Sequence, residues 1–193
     1  MSGRMPRMTS GYARSPDAVD WLPAERLGEF SVDSRLRPWL IGKGLLTQRM
    51  RAACGEHFAL RLVDQRTGLL DAALKAAVPT SDAAGLFRDV EMCNGKDVWV
   101  FTQSVVPDST LCAHPWLAEL GDSPLGETLS ELSGVQRSSY EYAWLPAEDA
   151  VTARALRGAD VKPVRLWARR SRISLRGAPL LTLEIFLPAM GSP

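Results

Sequence analysis

Two stretches of this chain pair β-rich runs across short turns, and they constrain the fold more than any other feature. In "LFRDVEMCNGKDVWVFTQSVVP" (86–107) two such runs flank Asn94-Gly95, a strong two-residue hairpin signal. In "VRLWARRSRISL" followed by "RGAP" and "LLTLEIFLP" (164–188), two more runs flank a turn and read as a hairpin with a longer loop. Strands joined by hairpins run antiparallel. Further strands are expected at "HFALRLVDQ" (57–65) and "VQRSSYEYAWL" (135–145). Helical segments precede and separate them. "SRLRPWLIGKGLLTQRMRAAC" (34–54) reads as two short helices broken at Gly44, and a short amphipathic helix fits 67–79. Another helix begins near Asp108 or Ser109, and Ser123 before Pro124 fits an N-cap with proline in the first turn. The proline-bounded excursion 146–163 has room for one more short helix. The pattern predicts the α+β class: a single antiparallel sheet of about six strands with helices packed on it.

Length and composition narrow what such a fold can do. The 193 residues suit one domain with a sizeable core. Residues 1–30 are expected to be a loosely ordered lead and 31–193 the folded domain. The start has arginines and no acid before Asp17, a weak transit-peptide signal, and no apolar core of a secretory signal. A net charge of +1 argues against nucleic acid or an anionic membrane as partner. No apolar run is long enough for a membrane span. Cys54, Cys93 and Cys112 are odd in number and lack metal-ligand spacing. They read as reduced thiols, mostly buried, in a reducing compartment, here the cytoplasm. His57 and His114 sit in no nucleophile motif and read as structural.

Two charges stand out against strand alternation. Arg88, Val90 and Met92 share one face, with Phe87, Asp89, Glu91 and Cys93 on the other. A two-residue turn at Asn94-Gly95 pairs Val90 with Trp99 and Arg88 with Phe101, ringing Arg88 with apolar side chains. Asp89 and Glu91 are expected on a face that is wet at least in part, solvated or paired. In the last strand Leu181, Leu183, Ile185 and Leu187 line one face, and Leu180, Thr182, Glu184 and Phe186 the other. A charge buried without a partner costs several kcal/mol. Arg88 and Glu184 therefore either form a structural ion pair, reach water at a strand end, or line a cavity for a small polar ligand.

The chain resembles the chorismate–pyruvate lyase family in four blocks. "PWLIGKGLLTQRM" (38–50) resembles the family's tryptophan-leucine helix and the helix start after it. "RDVEMCNGKDVWVFTQSVVPDSTL" (88–111) resembles its arginine strand, hairpin turn and V-x-P-x-S-T-L segment. "LGDSPLGETL" (120–129) carries L-G-x-x-P-L-G, and "LWARRSRISLRGAPLLTLEIFLP" (166–188) carries W-x-R-R-S and G-x-P-L-L-x-x-E-x-F-L-P. The blocks keep the family's order and internal spacings over about two thirds of the chain.

What the resemblance implies is a lyase that converts chorismate to 4-hydroxybenzoate and pyruvate, the first step of ubiquinone biosynthesis. It implies a monomer with helical flaps over a buried pocket and no metal or organic cofactor. Arg88 falls on the family's arginine for the ring carboxylate. Leu125 falls on the leucine whose backbone N–H meets the same carboxylate. Glu184 falls on the glutamate near the ring hydroxyl, and Leu46 on a flap residue that covers the site. Leu45 stands where the family has a serine, so that helix start loses a capping hydroxyl. Arg169 or Arg170 is a candidate for the pyruvate-side carboxylate; strand alternation lets at most one face the pocket, and a solvated arginine is the simpler expectation. Trp39, Trp99 and Trp167 read as core. The alternative to the enzyme is a non-enzymatic small-ligand sensor of the same fold.

Overall fold

The computed structural model describes residues 19–159 and 161–191. Most of the expected lead, residues 1–18, lies outside the described residues. Residues 22–29 already pack on the domain: strand β1 (Leu22–Pro23) pairs with β6 (Glu141–Leu145), and Leu27 is buried in the core. The packed chain thus starts before residue 31.

Among the described residues the sheet is single and antiparallel, with eight strands rather than about six. Its order is β1, β6, β7 (Leu166–Leu175), β8 (Ala178–Phe186), β4 (Asp97–Pro107), β3 (Ala84–Asn94), β2 (Phe58–Leu69). Strand β5 (Val135–Arg137) pairs with β7 beside this path. The extra strands are the two-residue β1 and the split of 135–145 into β5 and β6. Both halves of that split pair with β7, and between them residues 138–140 face only Ser171 and Arg172, with Ser138 still bonded to Arg172.

Both hairpins differ from the sequence reading in their turns. In the first, Asn94 pairs with Asp97, so the loop is Gly95-Lys96 rather than Asn94-Gly95. Gly95 has φ 60°, the requirement of the first loop position in a type II′ turn, and its N–H donates to the His57 carbonyl at 2.7 Å. The register then shifts between Met92 and Cys93, because Cys93 pairs with Val98 and Met92 with Val100. Trp99 is left over as the extra residue of a β-bulge. Together the two shifts put Arg88 opposite Ser104 and Val90 opposite Thr102. The predicted apolar ring of Trp99 and Phe101 around Arg88 is therefore absent, and Phe101 packs on the opposite face with Ile185 and Ala168. In the second hairpin the loop is the tight pair Arg176-Gly177, with φ 52° and 91°, instead of a longer one. Two positive φ values in a two-residue loop are the type I′ pattern.

Each face of the sheet carries its own cover. Helices α1 (Arg37–Ile41), α2 (Leu46–Cys54) and α5 (Leu125–Ser130) lie on the face that carries Arg88 and Glu184. Helix α4 (Asp108–Ala113) caps one end, where Thr110 donates to the Pro179 carbonyl at 2.7 Å. Helices α3 (Ala72–Ala77) and α6 (Ala150–Arg157) cover the other face. There Asp89 and Glu91 are buried, not wet as expected, because α6 roofs them over. They are paired, one of the two states expected for them. Asp89 accepts from Gln103 Nε2 at 2.7 Å, from Arg66 Nη1 at 3.0 Å and from Arg154 Nε of α6 at 3.0 Å; Glu91 accepts from Arg61 at 2.8 Å.

Arg154 is the charged tie between α6 and the sheet. Arg154→Met should lower stability by about 1–3 kcal/mol, the cost of leaving a buried carboxylate one donor short. Urea unfolding checks this; an unchanged midpoint would show that Arg66 and Gln103 suffice for Asp89.

Candidate active site

On the cavity face, cross-strand partners stack into two adjacent rungs. One runs Gln65, Arg88, Ser104, Thr182, Ser171 across β2, β3, β4, β8 and β7. The next runs Leu62, Val90, Thr102, Glu184, Arg169, Tyr142 and continues onto β6. Small hydroxyl residues in the middle of both rungs leave space above the sheet. That space is a cavity of about 390 Å³, within the usual size of a small-ligand site. Leu46, Arg88, Leu125 and Glu184 all line it, so the four residues singled out from sequence are brought together. Leu45, Leu60, Val90 and Met92 add apolar wall, and Lys43, Thr47, Arg137 and Tyr140 add polar rim.

Arg88 marks one end. It is buried, and its Nη2 donates to the carbonyls of Gly121 at 2.5 Å and Ser123 at 2.9 Å. Those carbonyls belong to the loop that leads into α5, so Arg88 fixes the helix start beside itself. The helix begins one residue later than expected. Pro124 occupies the N-cap and Leu125 the first turn, while Ser123 spends its carbonyl on Arg88 instead of capping. The Leu125 N–H, at the first helical position, has no intrahelical acceptor. Arg88 Nε is buried with no hydrogen-bond partner among the described residues. Burial holds the Arg88 guanidinium below its ordinary pKa, with Asp122 partly opposing that shift. An anion beside it would relieve the desolvation.

Glu184 marks the other end, and its protein partner is Arg169, not Arg88. Arg169 Nε donates to Glu184 Oε2. Arg169 has no exposed surface, against the expectation of a solvated arginine. It also donates to the carbonyls of Trp39 (3.1 Å), Leu40 (2.9 Å) and Gly42 (3.2 Å), at the C-terminal end of α1. The Tyr140 ring lies 4.2 Å from its guanidinium carbon. Burial pulls the Arg169 pKa down, but Glu184 and Tyr140 outweigh it and the net direction is up. Burial also raises the Tyr140 pKa, with Glu184 adding to it, so Tyr140 keeps its proton and remains a donor at neutral pH. Arg170 points to the opposite face, as alternation required, where it bonds Glu141 at 2.8 Å and lies over Trp21. Neither arginine of the pair lines the cavity.

Strand spacing and residue rise put the Cα atoms of Arg88 and Glu184, two strands and two residues apart, roughly 12 Å from each other. The side chains lean into one cavity from its two ends. Glu184 Oε1 has no protein donor among the described residues. The arrangement suits a flat ligand with an anion at one end and a hydrogen-bond donor at the other. Leu46 opens helix α2, which roofs the cavity. Its N-cap, Leu45, makes no side-chain cap, as its lost hydroxyl implied, and packs into the cavity instead. Among the described residues no group of three or more His, Cys, Asp or Glu side chains is placed to hold a metal ion.

The family model described as chorismate lyase matches residues 15–191. The chain belongs to the chorismate lyase family. A probable chorismate pyruvate-lyase of Methylococcus capsulatus is 37% identical over 80% of this chain and 96% of its own. Another, of Thiobacillus denitrificans, is 34% identical over 90% and 91%. Among solved structures, the C-terminal domain of PhnF matches with TM-score 0.57 and 15% identity over 81% of this chain and 92% of its own. A GntR-family transcriptional regulator from Bacillus cereus matches with TM-score 0.54 and 8% identity over 69% and 94%. At such identities these two show the fold alone. Within the family's sheet, sequence reasoning missed Ser104, Thr182, Arg137 and Tyr140. The first two were within reach, since Ser104 alternates with Thr102 in "FTQS" and Thr182 with Glu184. Arg137 is the last residue of β5 and Tyr140 lies between β5 and β6, where the run read as one strand is broken.

The Arg169–Glu184 pair yields a direct test. Arg169→Met should cost about 3–5 kcal/mol in urea unfolding, because a buried carboxylate loses its cation. Adding Glu184→Gln should recover part of that loss; strictly additive effects would show that the two side chains are not coupled.

Proposed function

We propose that the protein is a lyase that eliminates pyruvate from chorismate to give 4-hydroxybenzoate. The observation that carries the reading is the cavity with Arg88 and the Leu125 N–H at one end and Glu184 at the other, in a chain of this family. The Arg88 guanidinium, with Nε unpartnered, binds the ring carboxylate through charge-assisted hydrogen bonds. Leu125 N–H donates to the same group. At the far end Glu184 Oε1 accepts from the ring hydroxyl, while Arg169 keeps Oε2 in place. Leu46, Val90 and Met92 pack on the ring.

The bond changes explain why positioning is enough. The C–H bond at the hydroxyl-bearing carbon breaks, and so does the ether C–O bond on the neighbouring carbon. The ring becomes aromatic, and the hydrogen ends on the enolpyruvyl methylene, which makes pyruvate. Aromatisation drives the step, so the protein's task is to hold the substrate in reactive geometry and keep water out. The roof over Leu46 must then move for the product to leave. With this reading go a monomer, a cytoplasmic location and the first step of ubiquinone biosynthesis.

Purified protein incubated with chorismate should release pyruvate and 4-hydroxybenzoate in equal amounts, with no added metal and undiminished by EDTA. Arg88→Ala should lower kcat/KM by about 100-fold or more, since it removes a charged partner and leaves the ring carboxylate buried alone. Folded wild-type protein that binds 4-hydroxybenzoate but releases no pyruvate would instead favour a ligand sensor, the role that the regulator-like fold makes the second reading.

A further inference from the structure

The substrate in the reading above carries two carboxylates, and the site as described so far binds one. The second, on the enolpyruvyl group, leaves with pyruvate. The arginine pair does not line the cavity: Arg169 sits among Glu184 and three carbonyls, with its unpartnered Nη2 away from the lining, and Arg170 faces the other side of the sheet. Arg49 is spent on the carbonyls of Pro38 and Trp39. Two further cations line the cavity, Arg137 and Lys43.

We propose that Arg137 recognises the enolpyruvyl carboxylate of chorismate and is the residue that distinguishes substrate from product. The inference rests on the lyase reading and extends it. Arg137 ends strand β5, and its Nη1 donates to Ser171 Oγ at 2.5 Å and to Thr182 Oγ1 at 3.2 Å. These two hydroxyls end the rung that passes through Arg88, so the two arginines bracket the cavity. The guanidinium also lies 5.7 Å from the Tyr140 ring centre. None of these partners is an anion, and among the described residues Arg137 has no carboxylate partner. It is a cation held in place by neutral groups, with its remaining N–H donors free for a ligand.

Its position fits the chemistry. Thr182 is two residues from Glu184 on the same face of β8, roughly 7 Å along the strand. Arg137 therefore stands beside the hydroxyl end of the ligand. In chorismate the ether carbon neighbours the hydroxyl carbon, so the enolpyruvyl group projects from that end. A planar guanidinium there can take both oxygens of its carboxylate. It also faces the ether oxygen, where negative charge grows as the C–O bond breaks. Lys43 is exposed on the loop between α1 and α2, with a flexible stem that nothing in the sheet orients.

Because 4-hydroxybenzoate lacks this carboxylate, substrate and product respond differently to loss of Arg137. Pyruvate release from chorismate and calorimetric binding of 4-hydroxybenzoate are measured for wild type, Arg137→Gln, Arg137→Lys and Lys43→Gln. Arg137→Gln should lower kcat/KM by roughly 10- to 100-fold, the usual range for a charged hydrogen bond, with Arg137→Lys in between. The Kd of 4-hydroxybenzoate should move less than about twofold, since Arg137 faces only the uncharged hydroxyl end of the product and one contact to a neutral group is worth little. Three results overturn the assignment: kcat/KM unchanged in Arg137→Gln, a parallel loss of product affinity that makes Arg137 a scaffold residue, or a larger loss in Lys43→Gln. Wild-type protein that releases no pyruvate overturns the lyase reading itself, and this inference with it.

Discussion

A guanidinium with no exposed surface, Arg169, stands where sheet, flap and cavity meet. Its Nε binds Glu184 on the next strand, and its Nη1 gathers three carbonyls from the end of helix α1. Taking either charge out of water alone costs several kcal/mol, so each requires the other. The carbonyls at a helix end are negative in sense and lack intrahelical donors, which makes them suitable company for a buried cation. The arrangement has a geometric consequence. Glu184 cannot turn its Oε2 to a ligand, and α1 cannot lift from the sheet without exposing Arg169 to unpaired burial. The glutamate is thus placed before any ligand arrives.

The sheet works as a partition between two kinds of polar chemistry. Beneath it, Asp89 and Glu91 are saturated by Arg61, Arg66, Arg154 and Gln103, and α6 closes over them. Above it, Arg88 Nε, Thr102 Oγ1 and Arg169 Nη2 are buried with no partner among the described residues, and of these Arg88 and Thr102 line the cavity. Buried polar groups are normally satisfied, so those that remain on the cavity side mark where a ligand belongs. The difference between the faces follows from what opposes each charge across the strands. Below, cations and an amide meet the acids; above, small hydroxyls meet Arg88 and leave room.

That contrast also explains how far the chain could be read in advance. Hairpin runs, alternation in 86–107 and 164–188, and the helix break at Gly44 are local, and the antiparallel α+β sheet followed from them. Alternation correctly put Arg88 with Val90 and Met92, and Glu184 with Thr182. Register was a different matter. A loop shifted by one residue and a bulge at Trp99 replaced Phe101 by Ser104 opposite Arg88. The signals for the bulge lie in how β4 packs on both neighbours, not in the hairpin sequence itself. The same holds for Arg169, whose strand position was visible but whose three carbonyl partners are about 130 residues away.

By itself, then, the sequence determined the two hairpin pairs and the face each charge occupies, because strand period and turn chemistry act over a few residues; the four residues that converge came only through the family resemblance. The sequence carried that resemblance through blocks of fixed spacing. Only the tertiary structure decided that Glu184 belongs to Arg169, that Asp89 is buried beneath α6, and that Arg137 at the end of β5 and Tyr140 just after it reach the cavity. Those outcomes depend on which distant groups can satisfy a buried charge. Desolvation makes that choice stringent, and only the folded chain brings the candidates within hydrogen-bond distance.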